Sequence, residues 1–249
     1  MTAWSYDVIA EVYATDMGQS MPFDDIGFYR TLGLAEGGRA LELGCGTGRI
    51  LIELLRAGID AVGADRSLPM LMRLRRDAQT HALTPSVLQM DITQPALGNR
   101  FNVILLPYSL VTYLRNAATA VNALRRYAAM LAEGGCIVLD AFIPKPVESF
   151  TEFRQDYWRE HGDGFLARHK RISVQADGCN RIERRYRLHA ADRTLREEFF
   201  TDETIRPYSP EALASLSAAA GLHASQWVWD YGASRSAEGA KFATAVLRR

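Results

Sequence analysis

Apolar residues along this chain follow two periods, and the switch between them outlines the fold. Residues 5–16 place Tyr6, Ile9, Ala10 and Tyr13 three and four apart, which predicts a short helix capped by Ser5. Residues 24–34 predict a second helix, with Ile26, Phe28, Tyr29 and Leu32 as its apolar or aromatic positions. Five short apolar runs then read as buried strands, at 39–43, 60–65, 86–90, 101–106 and 135–142. Helical patterns at 47–57, 68–80 and 116–132 lie between them. Gly58 follows the first of these where a C′ glycine belongs, Ser67 and Pro69 open the second, and Gly134-Gly135 ends the third. Strands alternating with helices across short connections predict a parallel, doubly wound sheet whose ligands bind beyond the strand C-termini.

After Asp140 the pattern changes. Residues 164–205 alternate polar and apolar positions in three runs, separated by Asp177-Gly178 and Ala191-Asp192, and predict a three-stranded antiparallel insertion. Ser209 and Pro210 open a helix that runs to Ala220 and stops at Gly221. Strands at 223–231 and 241–247 finish the chain. No internal repeat stands out.

Chemistry enters at the end of the first buried strand. Ala40-Leu41-Glu42-Leu43 runs into Gly44-Cys45-Gly46-Thr47-Gly48, and the next strand ends on Asp65. Glycines permit positive φ and a close approach of backbone to a ligand. The helix start that follows offers free N–H groups to a polar or anionic ligand, and an acidic residue at the second strand end is placed to accept from ribose hydroxyls. The spacing excludes the dinucleotide fingerprint G-x-G-x-x-G, because its third glycine falls on Arg49.

Glu42-x-Gly44-x-Gly46-x-Gly48 resembles motif I of the class I methyltransferases that use S-adenosylmethionine (SAM) as cofactor. The resemblance covers 39–142 and resumes at 207–247; Tyr6 to Tyr13 is similar to the N-terminus of small-molecule members, including sugar N,N-dimethyltransferases. It implies an α/β, Rossmann-like, doubly wound seven-stranded sheet with an antiparallel β insertion and an N-terminal helical lid. On this reading residues 1–249 form one domain, with the lid at 1–37, the cofactor core at 38–145, the substrate-covering insertion at 146–208 and the C-terminal helix and strands at 209–249. Gly44, Cys45 and Gly46 would meet the methionine part of SAM, Asp65 the ribose hydroxyls and Arg66 the adenine, with Met70 a further cofactor-binding position. Asp91 and Ile92 would read the adenine edge, the Leu106 carbonyl would take the SAM amino group, and Tyr6 or Tyr13 the carboxylate. Phe101-Asn102 departs from the Phe-Asp common at the start of strand four, and no second acidic partner follows that strand. A metal-dependent catechol-type reaction is therefore not expected.

Methyl transfer needs an aligned nucleophile, excluded water and the removal of one proton, and so requires no single catalytic motif. Tyr108, Tyr113 and His169 are the catalytic candidates, with Tyr108 foremost because the methyl acceptor must lie at the end of strand four. Tyr6, Tyr186, Arg206 and Tyr208 are the substrate-binding candidates, and Asp140, Phe142, Arg187 and Glu198 are further pocket positions.

Composition narrows the acceptor. Lys+Arg and Asp+Glu balance at 29 each, and hydrophobic residues make up 48%. A neutral chain has no electrostatic reason to bind nucleic acid, and Leu106-Pro107-Tyr108-Ser109 lacks the Asn/Asp-Pro-Pro-Tyr/Phe pattern of nucleic-acid methyltransferases. Cys45, Cys136 and Cys179 form no C-x-x-C pair, so neither zinc nor a disulfide scaffold is expected. The segment 1–7 lacks the features of a leader, and no apolar run reaches membrane-spanning length, which makes a cytoplasmic location the expectation. The expected partner is a small-molecule methyl acceptor, an amine or amino sugar before a hydroxyl or carboxylate, with no nucleic acid, no membrane and a homodimer possible. The alternative from another class is a SAM-binding regulator or partner subunit without methyl transfer.

Overall fold

The computed structural model describes residues 4–17, 20–95, 97–98 and 100–249. The chain divides into two compact units, one formed by residues up to Pro22 with Lys145–Arg206, the other by Phe23–Pro144 with Pro207–Arg249.

The first unit carries two short helices, α1 (Ser5–Ile9) and α2 (Tyr13–Met17). The single helix expected over 5–16 is thus broken near Ala10. Ser5 is not a cap: its Oγ donates to the Asp202 carbonyl and accepts from the Asp202 N–H, tying α1 to an edge strand.

The second unit opens with α3 (Asp25–Glu36), whose N-cap Asp24 accepts from the Gly27 N–H. The parallel strands β1 (Arg39–Leu43), β2 (Asp60–Asp65), β3 (Ser86–Gln89), β4 (Phe101–Leu106) and β5 (Leu131–Phe142) follow, with α4 (Leu51–Arg56), α5 (Leu68–Gln79) and α6 (Ala117–Ala129) among their connections. Ser67 and Asn116 cap α5 and α6 through the N–H groups of Met70 and Thr119.

Returning to the first unit, an antiparallel sheet is built from β6 (Phe150–His161), β7 (Gly164–Val174), β8 (Asn180–His189) and β9 (Leu195–Ile205), in that order. It has four strands where three were expected. The missed strand, β6, pairs with β7 through register shifts at Phe150/Arg154 and Gln155/Tyr157, which erase the period-two pattern. Its half-buried Tyr157 meets Asp16 of α2, which is 1% exposed. Asp16 pairs with Arg168 and accepts the hydroxyls of Tyr157 at 2.7 Å and Tyr186 at 2.8 Å. A buried carboxylate needs such partners, because an uncompensated charge there is costly.

The second unit closes with α7 (Pro210–Ala219), capped by Ser209, and with β10 (His223–Trp229) and β11 (Phe242–Arg248). Its sheet has the order β10-β11-β5-β4-β1-β2-β3, and β11 alone among these strands runs against the others. Strand order reverses between β1 and β4, so the crevice for a ligand opens at the C-terminal ends of those two strands. The core beneath is apolar and closed, with Leu41, Leu43, Ile104, Leu106, Leu124 and Tyr127 fully or almost fully buried. Asn102 at the start of β4 accepts the Arg39 N–H at 3.1 Å, so the departure from Phe-Asp serves strand pairing far from the crevice.

Candidate active site

The turn after β1 has three glycines with positive φ: Gly44 at 63°, Gly46 at 52° and Gly48 at 87°. At Gly44 a Cβ would strike Leu110 at 2.7 Å. At Gly46 it would meet nothing nearer than the Gly44 carbonyl at 4.0 Å, so protein leaves this face open. Asp65, at the end of β2, accepts the Gly46 N–H at 2.8 Å through Oδ2 and the Ser67 N–H at 2.8 Å through Oδ1.

One expectation changes here. Helix α4 begins at Leu51, not at Thr47, so the helix start does not present N–H groups at the glycines. The Gly44–Gly48 turn contributes its own backbone, pinned by Asp65.

Under the turn lies Glu42, 2% exposed, with an Oε2 that has no hydrogen-bond partner. Burial pushes its carboxyl up to about 8, opposed by the Arg49 charge and by the Leu51 N–H. Arg49 is itself occupied: it forms a bidentate pair with Asp25 at 2.8 and 2.5 Å, and its guanidinium lies 5.4 Å from the Tyr108 ring centroid. Cys45 is buried, and burial pushes its thiol well above the usual range, which disfavours a thiolate.

Beyond β3 the Asp91 side chain accepts the Thr93 N–H and hydroxyl, both at 2.8 Å, while the Ile92 carbonyl accepts the Tyr127 hydroxyl at 2.5 Å. Arg66 is exposed, and its carbonyl accepts from Gln89 at 2.9 Å. Met70 is 1% exposed, so its side chain belongs to the core beneath α5 and not to an adenine surface.

At the end of β4, Leu106 is buried and Tyr108 and Ser109 both adopt left-handed backbone, with φ of 56° and 59°. Such conformations cost about 1 kcal/mol or more per non-glycine residue and persist where partners enforce them. The partner is Asp140 of β5. Its Oδ1 accepts the Ser109 N–H at 2.6 Å; its Oδ2 accepts the Tyr108 N–H at 2.9 Å, the Tyr29 hydroxyl at 2.5 Å and the Tyr231 hydroxyl at 2.8 Å. Burial raises the Asp140 carboxyl, and these four donors oppose it. Hydrogen bonds to a charged group contribute about 1.5–3 kcal/mol each, enough for several together to hold the left-handed turn. Tyr113 ends the 3₁₀ turn that follows and is half-buried.

The structure brings Gly44, Cys45, Gly46, Asp65, Asp91, Ile92, Leu106 and Tyr108 to one edge of the seven-stranded sheet. Two substrate candidates are corrected. Tyr186 is 1% exposed, donates to Asp16 and stacks on Phe199 at 5.2 Å, so it serves the fold of the first unit. Tyr208 is buried and donates to the Leu114 carbonyl. Tyr6 and Tyr13 are half-buried in the first unit, with ring centroids 6.1 Å apart. In the same unit Arg206 donates to the Asp177 carbonyl at 2.8 Å. His169 lies on β7 opposite Arg185; its Nδ1 is buried without a partner, and burial and Arg185 lower its pKa, which favours the neutral ring. The Arg187 and Glu198 side chains pair with each other at 2.6 Å.

Sequence reading missed Asp25, Tyr29 and Tyr231. Only the unexpected Arg49 in the glycine turn signalled that an acidic partner had to lie nearby. Among the described residues, no group of three or more His, Cys, Asp or Glu could hold a metal ion, and no helix is long and apolar enough to cross a membrane.

The site suits a polar cofactor that comes close to the glycine turn. The open face of Gly46 admits close approach, Asp65 holds the turn from the end of β2, and the Glu42 oxygen beneath is unsatisfied. Comparison with known proteins agrees. Residues 40–135 match the family described as a methyltransferase domain. A demethylmenaquinone methyltransferase from Corynebacterium urealyticum is 30% identical over 128 residues, which cover 51% of this chain and 52% of that protein. The chain therefore spans about half the length of the curated relatives it matches. Among solved structures, the CcbJ methyltransferase of Streptomyces caelestis superposes with a TM-score of 0.81 at 20% identity, covering 100% of this chain and 99% of that one. The SAM-bound CalS10 amino pentose methyltransferase of Micromonospora echinaspora superposes with a TM-score of 0.69 at 22% identity, covering 90% of each chain. At these identities the superpositions establish the fold. Residues 40–135 thus match a methyltransferase domain, and the fold around them is the Rossmann-like one of the methyltransferases on which the chain superposes.

Proposed function

We propose that this protein transfers a methyl group from SAM to the nitrogen of a small-molecule amine, with an amino sugar as the favoured acceptor. The observation that carries the reading is Asp140. It is the buried carboxylate beside Tyr108, and four donors already occupy it. A hydroxyl acceptor needs a base while the new bond forms, whereas a neutral amine attacks with its own lone pair and sheds its proton afterwards. A saturated carboxylate at the acceptor side suits the amine. The amino pentose methyltransferase among the structural neighbours supports the same acceptor class.

SAM supplies a methyl group already activated on a sulfonium. The chain's own residues bind and orient. Gly44 and Gly46 let backbone come close, Asp65 accepts the ribose hydroxyls, and Asp91 with Ile92 borders the adenine. Tyr108 presents its ring at the end of β4, where it shields the reacting atoms from water, and no base need be recruited from the chain. The partner in this reading is the small-molecule acceptor.

The test is incubation with methyl-labelled SAM and a panel of a nucleotide-linked amino sugar, simple amines, matched alcohols, carboxylic acids and RNA. Label on the amino sugar nitrogen is the expected result. Label confined to hydroxyl or carboxyl acceptors would replace the acceptor class, and label in RNA would replace the substrate class.

A further inference from the structure

Asp140 does more than fill a buried position. It receives the backbone N–H groups of two consecutive residues, Tyr108 and Ser109, both in left-handed conformation. The Ser109 hydroxyl in turn accepts the Phe142 N–H at 2.9 Å, so the turn is tied to β5 from both sides. Two phenols from distant elements, Tyr29 of α3 and Tyr231 after β10, converge on the same carboxylate oxygen as Tyr108. Across the Tyr108 ring stands Arg49, from the turn that carries Gly44 and Gly46, held there by Asp25. The ring is thus fixed on one side through the glycine turn and on the other through the end of β5.

We propose that Asp140 is a positioning residue for methyl transfer: it sets the turn at 107–109, and with it the Tyr108 ring, while Tyr29 and Tyr231 hold the carboxylate in place for that task. The proposal rests on Tyr108 standing at the acceptor side.

Asp140→Asn keeps the shape but replaces one acceptor oxygen by an NH₂ group, so the Ser109 N–H or the three donors on the other oxygen lose their partner. A Tyr29→Phe/Tyr231→Phe double variant removes the two phenols, leaves the carboxylate, and carries both measurements should Asp140→Asn fail to fold. The first measurement is amide hydrogen exchange with saturating S-adenosylhomocysteine (SAH), the demethylated cofactor. Exchange at Tyr108 and Ser109 should quicken by about tenfold or more, with β1 and α6 unchanged. The second is steady-state kinetics on the nucleotide-linked amino sugar. Here kcat should fall by about tenfold or more, while the KM for SAM stays within about twofold.

Unchanged exchange at Tyr108 and Ser109, or an increase spread evenly along the chain, overturns the positioning role. So does quickened exchange with normal kcat. If the parent enzyme leaves the amino sugar unmethylated, the acceptor reading fails by itself, and the exchange measurement still decides the clamp.

Discussion

Glu42→Gln is the substitution whose outcome the structure constrains most tightly. In the unfolded chain a glutamate ionises near its ordinary value of 4.5, whereas burial holds the folded Glu42 carboxyl up to about 8. Between those values the folded state keeps a proton that the unfolded state has lost. Stability must therefore fall as pH rises through this window, by up to about 1.4 kcal/mol per pH unit and of order 3–5 kcal/mol across it. Glutamine ionises in neither state and resembles the protonated acid, so the variant lacks this slope. Urea unfolding of both proteins without cofactor, at intervals from pH 5 to pH 8.5, measures it. The two should be similar near pH 5, with the variant increasingly the more stable towards pH 8, at unchanged m-value. The opposite sign, with the parent gaining on the variant as pH rises, would refute the reasoning. It would mean that Glu42 is ionised and paired with Arg49 despite the bidentate hold of Asp25 on that guanidinium.

Two other substitutions follow from the same geometry. Asp65→Ala removes the anchor of the Gly46 and Ser67 N–H groups together with the carboxylate proposed to accept from the ribose. SAH affinity should drop by about 3 kcal/mol or more, roughly a hundredfold, as read by calorimetry, and retained affinity would show that the ribose lies elsewhere. Asp16→Ala strands Arg168 and the hydroxyls of Tyr157 and Tyr186, so denaturant unfolding should show a loss of about 3–5 kcal/mol; a loss below about 1 kcal/mol would mean that Asp156 alone satisfies Arg168.

Local signals in the sequence are legible where local physics decides. Ser67 and Ser209 cap the helices expected of them, and Asp65 stands at a strand end because an apolar run and a glycine turn place it there. Strand β6 escaped because its register shifts break the alternation on which a strand is recognised. Tyr186 reads as a substrate contact from sequence because its partner, Asp16, lies 170 residues away and no spacing rule connects them. The Asp140 cluster was invisible for the same reason, since Tyr29 and Tyr231 lie 111 and 91 residues from it. Long-range polar pairing is fixed by the assembled sheet, not by any window of sequence.

The cofactor is the claim on which the rest depends, and calorimetric titration of the purified protein with SAM and, separately, with NAD tests it most directly. The account predicts one saturable site for SAM with a dissociation constant of about 1–10 μM, near −8 kcal/mol, and no heat from NAD. Saturable binding of NAD without binding of SAM would contradict it.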